Sequence, residues 1–507
     1  MAAKSRETSR YTETERKFEV VEATVSPSFE GLSAVSRVER SPSQSLDAVY
    51  FDTPNRDLAR NRITLRRRTG GPDAAWHLKL PAGPDSRTEV HAPLSDEGAA
   101  DVSAADVYAV PESLRDIVLA IVRDRPLEPV ARISTTRNVE VLYGLSGDPV
   151  AEFCDDQVTA SAVGGDEQRW REWELELHPG AGDDVFDRLT NRLLDAGAQA
   201  AGHGSKLARV LADSTPADQT AGTVTPPADP ARRAVAQHLA ELIEWDRAVR
   251  SDTWDSVHQM RVATRKIRSL LQSSAGSFDV AGHEWVLDEL RELAAVLGVA
   301  RDAEVLAERY ERAIDGLPEA NVRGPVRERL VEGAKKRYHA GWKRSLTAMR
   351  SQRYFRLLDA LEELVATEPT AAAGGDAPAE LTIDSAYRRV RKAAKAARAA
   401  AGEADEDADE ALHRIRKRAK QLRYTAAATG ETKVADRAKV IQTLLGDHQD
   451  SVVSRAHLSR QAQVAHAAGE DTFTYGLLYQ QEDDLAVRCE EQIEDALRRL
   501  DKAAGKS

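Results

Sequence analysis

Up to about residue 180, apolar and polar residues mostly alternate in short runs that end at turn residues. Strict alternation places one kind of side chain on each face of a strand, so the pattern predicts strands. Helical spacing interrupts it around 103–124 and follows it at 183–197 and 204–212. The first part of the chain is therefore predicted to be an α+β domain. The eight predicted strands are ETERKFEV, LDAVYFDT, RITLRRR, AAWHLKLP, RTEVHA, ARISTTRNVEVLY, VAEFCDDQVTA and QRWREWELEL.

From residue 231 onward the apolar residues recur at helical spacing among Ala, Leu, Arg and Glu, which predicts an all-α bundle. Residues 213–229 are rich in Pro, Thr, Ala and Asp without periodicity, as is typical of an interdomain linker. A second break at 368–380 divides the bundle. The predicted domains are 1–212 and 230–505, the second with halves at about 230–367 and 381–505.

A sequence unit occurs twice in the helical part. It is a histidine followed at helical spacing by three basic residues, and later by Leu-Gly-x-x-x-Asp. Positions i, i+3, i+7 and i+10 share one face of a helix, so each copy predicts a basic ridge, and the repeat predicts two related halves. The alternative is an ordinary solvated helix face. The copies are His258, Arg261, Arg265 and Arg268 with 297–302, and His413, Arg416, Lys420 and Arg423 with 445–450; Lys266 and Lys417 widen the ridges.

The composition restricts which classes of binding partner and which cellular compartment we expect for the protein. The 507 residues carry a formal net charge of -12, which disfavours a general nucleic-acid binder, although 71 Lys and Arg can still form basic surfaces. Two cysteines exclude a disulfide framework and fit a reducing compartment. Neither a secretion signal nor a membrane span is evident, so we expect a cytoplasmic protein without a membrane partner. The oligomeric state is open.

Charged residues gather on particular strand faces. Side chains two apart share a face, which groups Glu13, Glu15 and Lys17. For one strand, a solvated outer face is the simpler explanation. Three glutamates on one face favour a site for cations and anions, and oxygen ligands favour Mg²⁺ or Mn²⁺ over zinc. The same parity groups Glu172, Glu174 and Glu176, Arg66 with Arg68, His77 with Lys79, Arg87 with Glu89, and Glu152 with Asp156.

Residues 13–210 resemble a CYTH domain, of the triphosphate tunnel metalloenzyme family. The opening Glu-x-Glu-x-Lys strand is a weak signal alone, but an ordered series of motifs matches across nearly the whole domain. One departure is Thr135, where family members often carry a basic residue, and Arg132 is a candidate replacement. The further motifs are YFDTPNRDLARNRITLRRR, WHLKLP, Arg87-x-Glu89, Glu152-x-x-x-Asp156, WELEL and Ser205-Lys206-Leu207-Ala208-Arg209.

The resemblance implies an eight-stranded antiparallel barrel whose charged interior is a tunnel for triphosphate. It implies catalysis by a metal ion and a positioned water, with no covalent nucleophile. The role of Lys17 between phosphate binding and the water is left open. The implied catalytic residues are Glu13, Glu15 and Lys17. The implied phosphate ligands are Arg66, Arg68, Lys79, Arg87, Arg137 and Lys206. The implied metal ligands are Glu13, Glu15, Glu152, Asp156, Glu172, Glu174 and Glu176.

The repeated halves, with LGVARDAEV and LGDHQDSVV, resemble a CHAD domain, the conserved-histidine α-helical domain, over about 230–500. The resemblance implies a helical bundle with a basic surface that binds inorganic polyphosphate, and hence an association with polyphosphate granules. Such binding is expected to depend on salt because a polyanion releases counterions when it binds. Few aromatic residues flank the ridges, which disfavours RNA.

The leading hypothesis is that the protein hydrolyses inorganic triphosphate with Mg²⁺ or Mn²⁺ while its helical domain holds polyphosphate. A second hypothesis is a polyphosphate-binding protein without a catalytic role. A third is an enzyme, hydrolase or cyclase, that acts on an organic triphosphate such as thiamine triphosphate or ATP.

Overall fold

The structure is a computed structural model of the chain. It describes residues 9–94, 109–212, 227–273, 278, 284–367, 382–400 and 405–505. Most of the predicted linker and the whole predicted break at 368–380 lie outside these ranges, as does the start of the helix predicted at 103–124, so the domain bounds remain predictions. The chain forms two compact units. The first is Met1–Leu271 with His283–Leu290 and Leu346–Thr367, and the second is Gln272–Gly282 with Arg291–Ser345 and Glu368–Ser507.

A closed antiparallel barrel of eight strands forms the centre of the first unit, as predicted. The ring closes because β1 pairs with both β6 and β9. Two short strands outside the ring, β2 on β7 and β10 on β1, were not predicted. The strands are β1 Ser9–Val20, β2 Arg37–Arg40, β3 Gln44–Asp52, β4 Thr64–Thr69, β5 Ala75–Pro81, β6 Ser86–Ala92, β7 Glu128–Tyr143, β8 Pro149–Ala162, β9 Glu167–Leu177 and β10 Gln199–Ala200.

Much of the apolar core of this barrel lies on its outer face. Trp173 and Leu175 of β9 pack there with Phe18 and with Phe186 and Leu189 of a covering helix. That helix, α4 (Asp183–Asp195), has its apolar residues on one side, and this side covers the apolar outer face of the barrel wall. The side chains at the alternate positions of the same strands point into the barrel interior. The alternation seen in the sequence therefore places apolar side chains in the outer core and charged side chains in the barrel interior.

Helix α5 (Lys206–Ala212) fills one end of the barrel interior. Leu207 and Val210 pack against Ala131, Ile133 and Val158. These strand residues occupy the same parity as Arg137 and Asp156 farther along β7 and β8, and Arg137 lines the cavity. One end of the interior is thus apolar and closed by a helix, and the remainder is charged.

The first unit also contains helices that flank the barrel. They are α1 Asp57–Arg60, α2 Glu112–Ile117, α3 Leu119–Val122, α6 Pro230–Arg250, α7 Ser256–Ser273 and α10 Gln352–Ala366. Arg123, which follows α3, is buried and pairs with Asp359 and, at 2.6 Å, with Glu362 Oε1 of α10. Its φ of 59° is in the left-handed region, a conformation that a non-glycine residue adopts only when its contacts hold it.

Helices make up the second unit. The bundle is built from α8 Glu284–Asp315, α9 Gly333–Met349, α11 Ile383–Ala400, α12 Asp405–Ala428, α13 Thr432–Ala467 and α14 Phe473–Ala503, with short 3₁₀ and π turns at Glu319–Asn321 and Glu328–Glu332. The amino-terminal residues of α8 and the carboxy-terminal residues of α9 belong to the first unit. Within the described ranges, no helix combines the length and apolar character needed to cross a bilayer.

Candidate active site

The charged part of the barrel interior surrounds about 950 Å³ of empty space, counting the space at its opening. Most residues predicted for the site line this cavity, but Asp156 and Glu172 lie behind its wall. Their roles remain predictions. The predicted residues at the cavity surface are Glu13, Glu15, Lys17, Arg66, Arg68, Lys79, Arg87, Arg137, Glu152, Glu174, Glu176 and Lys206.

Strand register brings together residues that are far apart in the sequence. Lys17 of β1 is paired with Glu174 of β9, and Glu15 with Glu176. The Lys17 ammonium contacts Glu174 and lies 2.7 Å from Glu15 Oε2. The opening Glu-x-Glu-x-Lys strand therefore meets the triple-glutamate strand directly, on the face that parity predicted.

Three carboxylates meet around Lys206, at the tip of α5. Its ammonium lies 2.8 Å from Asp156 Oδ2, 2.7 Å from Glu172 Oε1 and 2.8 Å from Glu174 Oε1. Oxygen atoms of these three carboxylates all lie within 4.8 Å of one another, a spacing that fits a divalent cation. Arg137 completes the group with two bonds to Asp156, of 2.8 and 2.6 Å.

The facing wall of the cavity is rich in basic side chains. Lys79 donates to Glu13 Oε1 at 2.6 Å, and Arg66 donates to the Tyr50 hydroxyl at 3.3 Å. The Nε atoms of Arg66 and Arg68 are buried and have no hydrogen-bond acceptor within the described chain. A buried donor without an acceptor is costly, so these groups fit an anionic ligand that accepts from them.

Burial and neighbouring charges set the protonation of the carboxylates. Burial alone raises the pKa of Glu15, but Lys17 and Lys79 outweigh it and lower the value to about 2. At Glu13, burial has the larger effect and raises the pKa to about 8, although Lys79 opposes it. Burial also raises the pKa of Glu176. At neutral pH Glu15 is therefore ionised and Glu13 is largely protonated.

Lys17 remains charged in this setting. Burial lowers the pKa of its ammonium, but Glu15 and Glu174 more than compensate and the pKa is raised above its usual value. A permanently protonated amine cannot remove a proton from water. Its possible tasks are to neutralise charge and to donate hydrogen bonds.

Several residues at the cavity surface were not included in the predicted site. Glu89 belongs to a quoted motif, and Tyr11 stands two residues before Glu13, so strand parity could have indicated both. Tyr50 and Asp73 also line the cavity. Arg132 is exposed on the outer face while Thr135 lines the cavity, so Arg132 does not replace the basic residue expected at Thr135.

The first basic ridge follows α7. Val257, Met260 and Ile267 form its buried side, while His258 and Arg265 are half-buried beside them. Arg261 and Arg268 have the same intermediate exposure. The ridge therefore borders the helix core and keeps contact with solvent.

The second ridge follows α12 in the other compact unit. His413 and Lys417 are exposed, whereas Arg416, Lys420 and Arg423 are half-buried. The opposite side of the helix, with Ile415 and Leu422 among others, enters the core of the bundle. Both ridges thus lie on helices, as their spacing predicts, and each helix has one side buried in a hydrophobic core.

The second Leu-Gly-x-x-x-Asp motif lies beside this ridge. A Cβ atom at Gly446 would lie 3.4 Å from a terminal nitrogen of Arg416, so the glycine gives that guanidinium close access to the helix backbone. Burial raises the pKa of Asp450, with Arg416 and Arg309 opposing and Asp302 of the first motif adding to it. The aspartates of the two motifs are therefore near enough to interact.

Comparisons with known proteins match one family to the strand-rich part of the chain and another to the helical part. The CYTH domain model matches residues 12–205, and the CHAD domain model matches residues 233–459. The protein MT2285 of Mycobacterium tuberculosis (strain CDC 1551 / Oshkosh) is 63% identical over 513 residues, which cover 98% of each chain.

Two solved structures are similar to parts of the chain. PptA from Streptomyces chartreusis is 16% identical with a TM-score of 0.42, over 54% of this chain and 100% of its own. The CHAD domain from the plant Ricinus communis is 22% identical with a TM-score of 0.39, over 53% of this chain and 90% of its own.

Proposed function

Because the chain belongs to the family of proteins that join a CYTH domain to a CHAD domain, we propose that it hydrolyses inorganic triphosphate to diphosphate and phosphate in the barrel. The reaction uses Mg²⁺ or Mn²⁺, and the helical domain binds inorganic polyphosphate. The observation that supports this most directly is the pair of buried, unsatisfied Nε donors of Arg66 and Arg68 in a cavity that also contains grouped carboxylates.

The basic wall binds the substrate in this proposal. Arg66, Arg68 and Lys79 donate to phosphate oxygens, and Arg87 and Arg137 extend the contacts along the cavity. Guanidinium groups suit this task because they donate two parallel hydrogen bonds to a phosphate. The phosphates then accept hydrogen bonds from the buried Nε atoms. Because the cavity holds the phosphate charge away from bulk water, each of these interactions is stronger than it would be in water.

The carboxylates hold the metal ion. Glu13, Glu15, Glu152, Glu174 and Glu176 lie at the cavity surface, and Asp156 and Glu172 lie directly behind it. A bound Mg²⁺ or Mn²⁺ would neutralise phosphate oxygens and orient the leaving diphosphate. Lys17, which stays charged, holds Glu15 and Glu174 in position, and a carboxylate that is free of the metal orients the attacking water.

A phosphate-release assay tests the site. Full-length protein with Mg²⁺ should release phosphate from tripolyphosphate, and Glu15→Ala or Lys17→Ala should reduce the rate at least about a hundredfold. Glu30→Ala and Lys433→Ala, which remove the same groups from exposed positions, are the controls. Unchanged rates in both site variants would refute the site assignment.

The same assay separates the possible substrates. The proposal expects a higher kcat/KM for tripolyphosphate than for ATP, thiamine triphosphate or long polyphosphate. A preference for an organic triphosphate would instead favour the third hypothesis. Absence of turnover with every substrate and both metals would favour the binding-protein hypothesis.

Polyphosphate binding is tested in the full-length chain, because α6 and α7 belong to the same compact unit as the barrel. Replacing Arg416, Lys420 and Arg423 by Gln should weaken binding of long-chain polyphosphate at low salt. Arg414→Gln with Arg418→Gln removes charge from exposed positions of the same helix away from the ridge. Equal losses in both variants would show a non-specific charge effect and contradict a ridge site.

A further inference from the structure

A cluster of two histidines, a glutamate and a tyrosine lies at the end of the barrel opposite α5. Register pairs His77 of β5 with His91 of β6, and Tyr11 of β1 with Glu89 of β6. Tyr11 is near the start of its strand and His91 near the end of its own, so both are at the opening. The proposed hydrolysis assigns no role to either histidine.

The polar atoms of this cluster are close together. Glu89 Oε1 lies 2.7 Å from His77 Nδ1 and 3.1 Å from His91 Nε2. The Tyr11 hydroxyl lies 3.1 Å from Glu89 Oε2 and 3.1 Å from His91 Nε2. One nitrogen of each histidine and one oxygen of Glu89 lie within 4.8 Å of one another.

His77 has an oxygen acceptor beside each ring nitrogen. Glu89 is at Nδ1, and the carbonyl oxygen of Asp73 is 3.1 Å from Nε2. A neutral imidazole has one N–H and one lone pair, so it can donate to only one of these oxygens. Nδ1 is at hydrogen-bond distance from Glu89, and a metal ion bound at Nδ1 would take the place of that N–H while Nε2 donates to Asp73.

We propose that His77, Glu89 and His91 bind a transition-metal ion of the zinc class at the opening of the barrel. Two imidazoles and one carboxylate form a donor set that Zn²⁺ accepts in tetrahedral sites with one open position. Imidazole nitrogen also separates this site from the oxygen-only carboxylates, which suit Mg²⁺ or Mn²⁺.

The surroundings supply the outer hydrogen bonds that such a site needs. A metal-bound histidine usually donates its second ring N–H to a carbonyl or carboxylate, and the Asp73 carbonyl is placed to accept it from His77. The Tyr11 hydroxyl donates to the second oxygen of Glu89 in the same way. Tyr11 and Glu89 both line the cavity, which would give a ligand or water access to a metal ion held by this cluster.

Two cations compete with the metal for Glu89. Lys79 Nζ lies 3.4 Å from Oε2, and an Arg66 terminal nitrogen lies 4.0 Å from Oε1. Their positive charge opposes a divalent ion at this distance. We therefore expect binding weaker than that of a structural zinc site with four protein ligands.

Cobalt titration of the full-length protein tests the proposal. Excess Mg²⁺ first occupies the oxygen-only carboxylates, and Co²⁺ is then added while visible absorption is recorded. A site with two imidazoles and low coordination number should give an intense ligand-field band at one equivalent, and Zn²⁺ should remove it. His77→Gln and His91→Gln should weaken binding at least about a hundredfold, and Tyr11→Phe about tenfold.

The control is His178→Gln, at a half-buried histidine just beyond β9, which should bind Co²⁺ like the unaltered protein. Circular dichroism checks that each variant is folded. A Co²⁺ spectrum of the unaltered protein that matches the aqueous ion would overturn the proposal without relying on any variant. So would unchanged binding in both His77→Gln and His91→Gln. The titration contains no triphosphate, so its failure would not bear on the proposed hydrolysis.

Discussion

The barrel interior and the helical ridges both collect basic side chains, yet they hold them differently. In the barrel, Lys17, Lys206 and Arg137 are enclosed and each contacts a carboxylate at a position fixed by strand register. On α12, His413 and Lys417 are exposed to solvent. Enclosed charges interact strongly and tolerate little change, whereas exposed ones are screened by salt and replaced at little cost. Under the proposed function, the enclosed charges would suit catalysis on a short anion, and the exposed ones would suit reversible contact with a long one.

Removing Lys206 should cause the largest effect. Lys206→Met leaves Asp156, Glu172 and Glu174 with like charges in a buried site, and we expect a loss of about 3–5 kcal/mol in the free energy of unfolding. Urea denaturation at neutral pH measures it. The exposed Lys439→Met should change stability by less than about 0.5 kcal/mol. Similar losses in the free energy of unfolding of the two variants would contradict the distinction between enclosed and exposed cations.

Salt should separate the two regions next. If the α12 ridge neutralises about four phosphates, log K for polyphosphate should fall with log salt with a slope of about -3, or roughly fiftyfold between 50 and 200 mM. The KM for tripolyphosphate should change much less, because the barrel encloses its charges. Equal slopes in a binding titration and in KM would contradict this distinction.

Acidity should affect the barrel through Glu13. Since burial raises its pKa to about 8, the ionised form, which would bind the metal in the proposed reaction, is a minority at neutral pH. Apparent Mg²⁺ affinity should therefore rise about tenfold per pH unit below pH 8 and level off above it. Calorimetric titration across this range measures the slope. Glu13→Gln should remove the dependence, and a slope that persists in this variant would assign it to another group.

The smallest effect is expected at Tyr50, whose hydroxyl accepts a hydrogen bond from Arg66 at 3.3 Å. Tyr50→Phe leaves the guanidinium in place but less firmly oriented, so KM for tripolyphosphate should rise by less than about tenfold with little change in kcat. Steady-state kinetics measure both constants. A loss confined to kcat would instead place Tyr50 at the reacting phosphate.

Alternation in the sequence was sufficient to predict the eight barrel strands and the faces of their charged residues. Glu174 enters the interior while Trp173 and Leu175 join the outer core, as period-two spacing requires. The order of the motifs then indicated the barrel fold and the charged residues of its interior. Periodicity alone did not predict β2 and β10, because runs of four and two residues carry too little pattern.

Other features depend on contacts between distant parts of the chain. The position of α5 inside one end of the barrel follows from packing of Leu207 and Val210 on β7 and β8, and no local pattern encodes it. Likewise, Asp156 and Glu172 have the parity of site residues, but the tip of α5 places Lys206 against them behind the cavity wall. Strand alternation could not predict that these two side chains are buried behind the cavity surface.

Helix α5 closes one end of the barrel interior with apolar side chains. A linear anion that enters from the opposite end cannot thread past these side chains along the barrel axis. In the proposed reaction, substrate and products would therefore compete for the routes that remain open. If the proposed reaction extends to a polymer, this arrangement would favour attack at its terminal phosphates over attack at the middle of the chain.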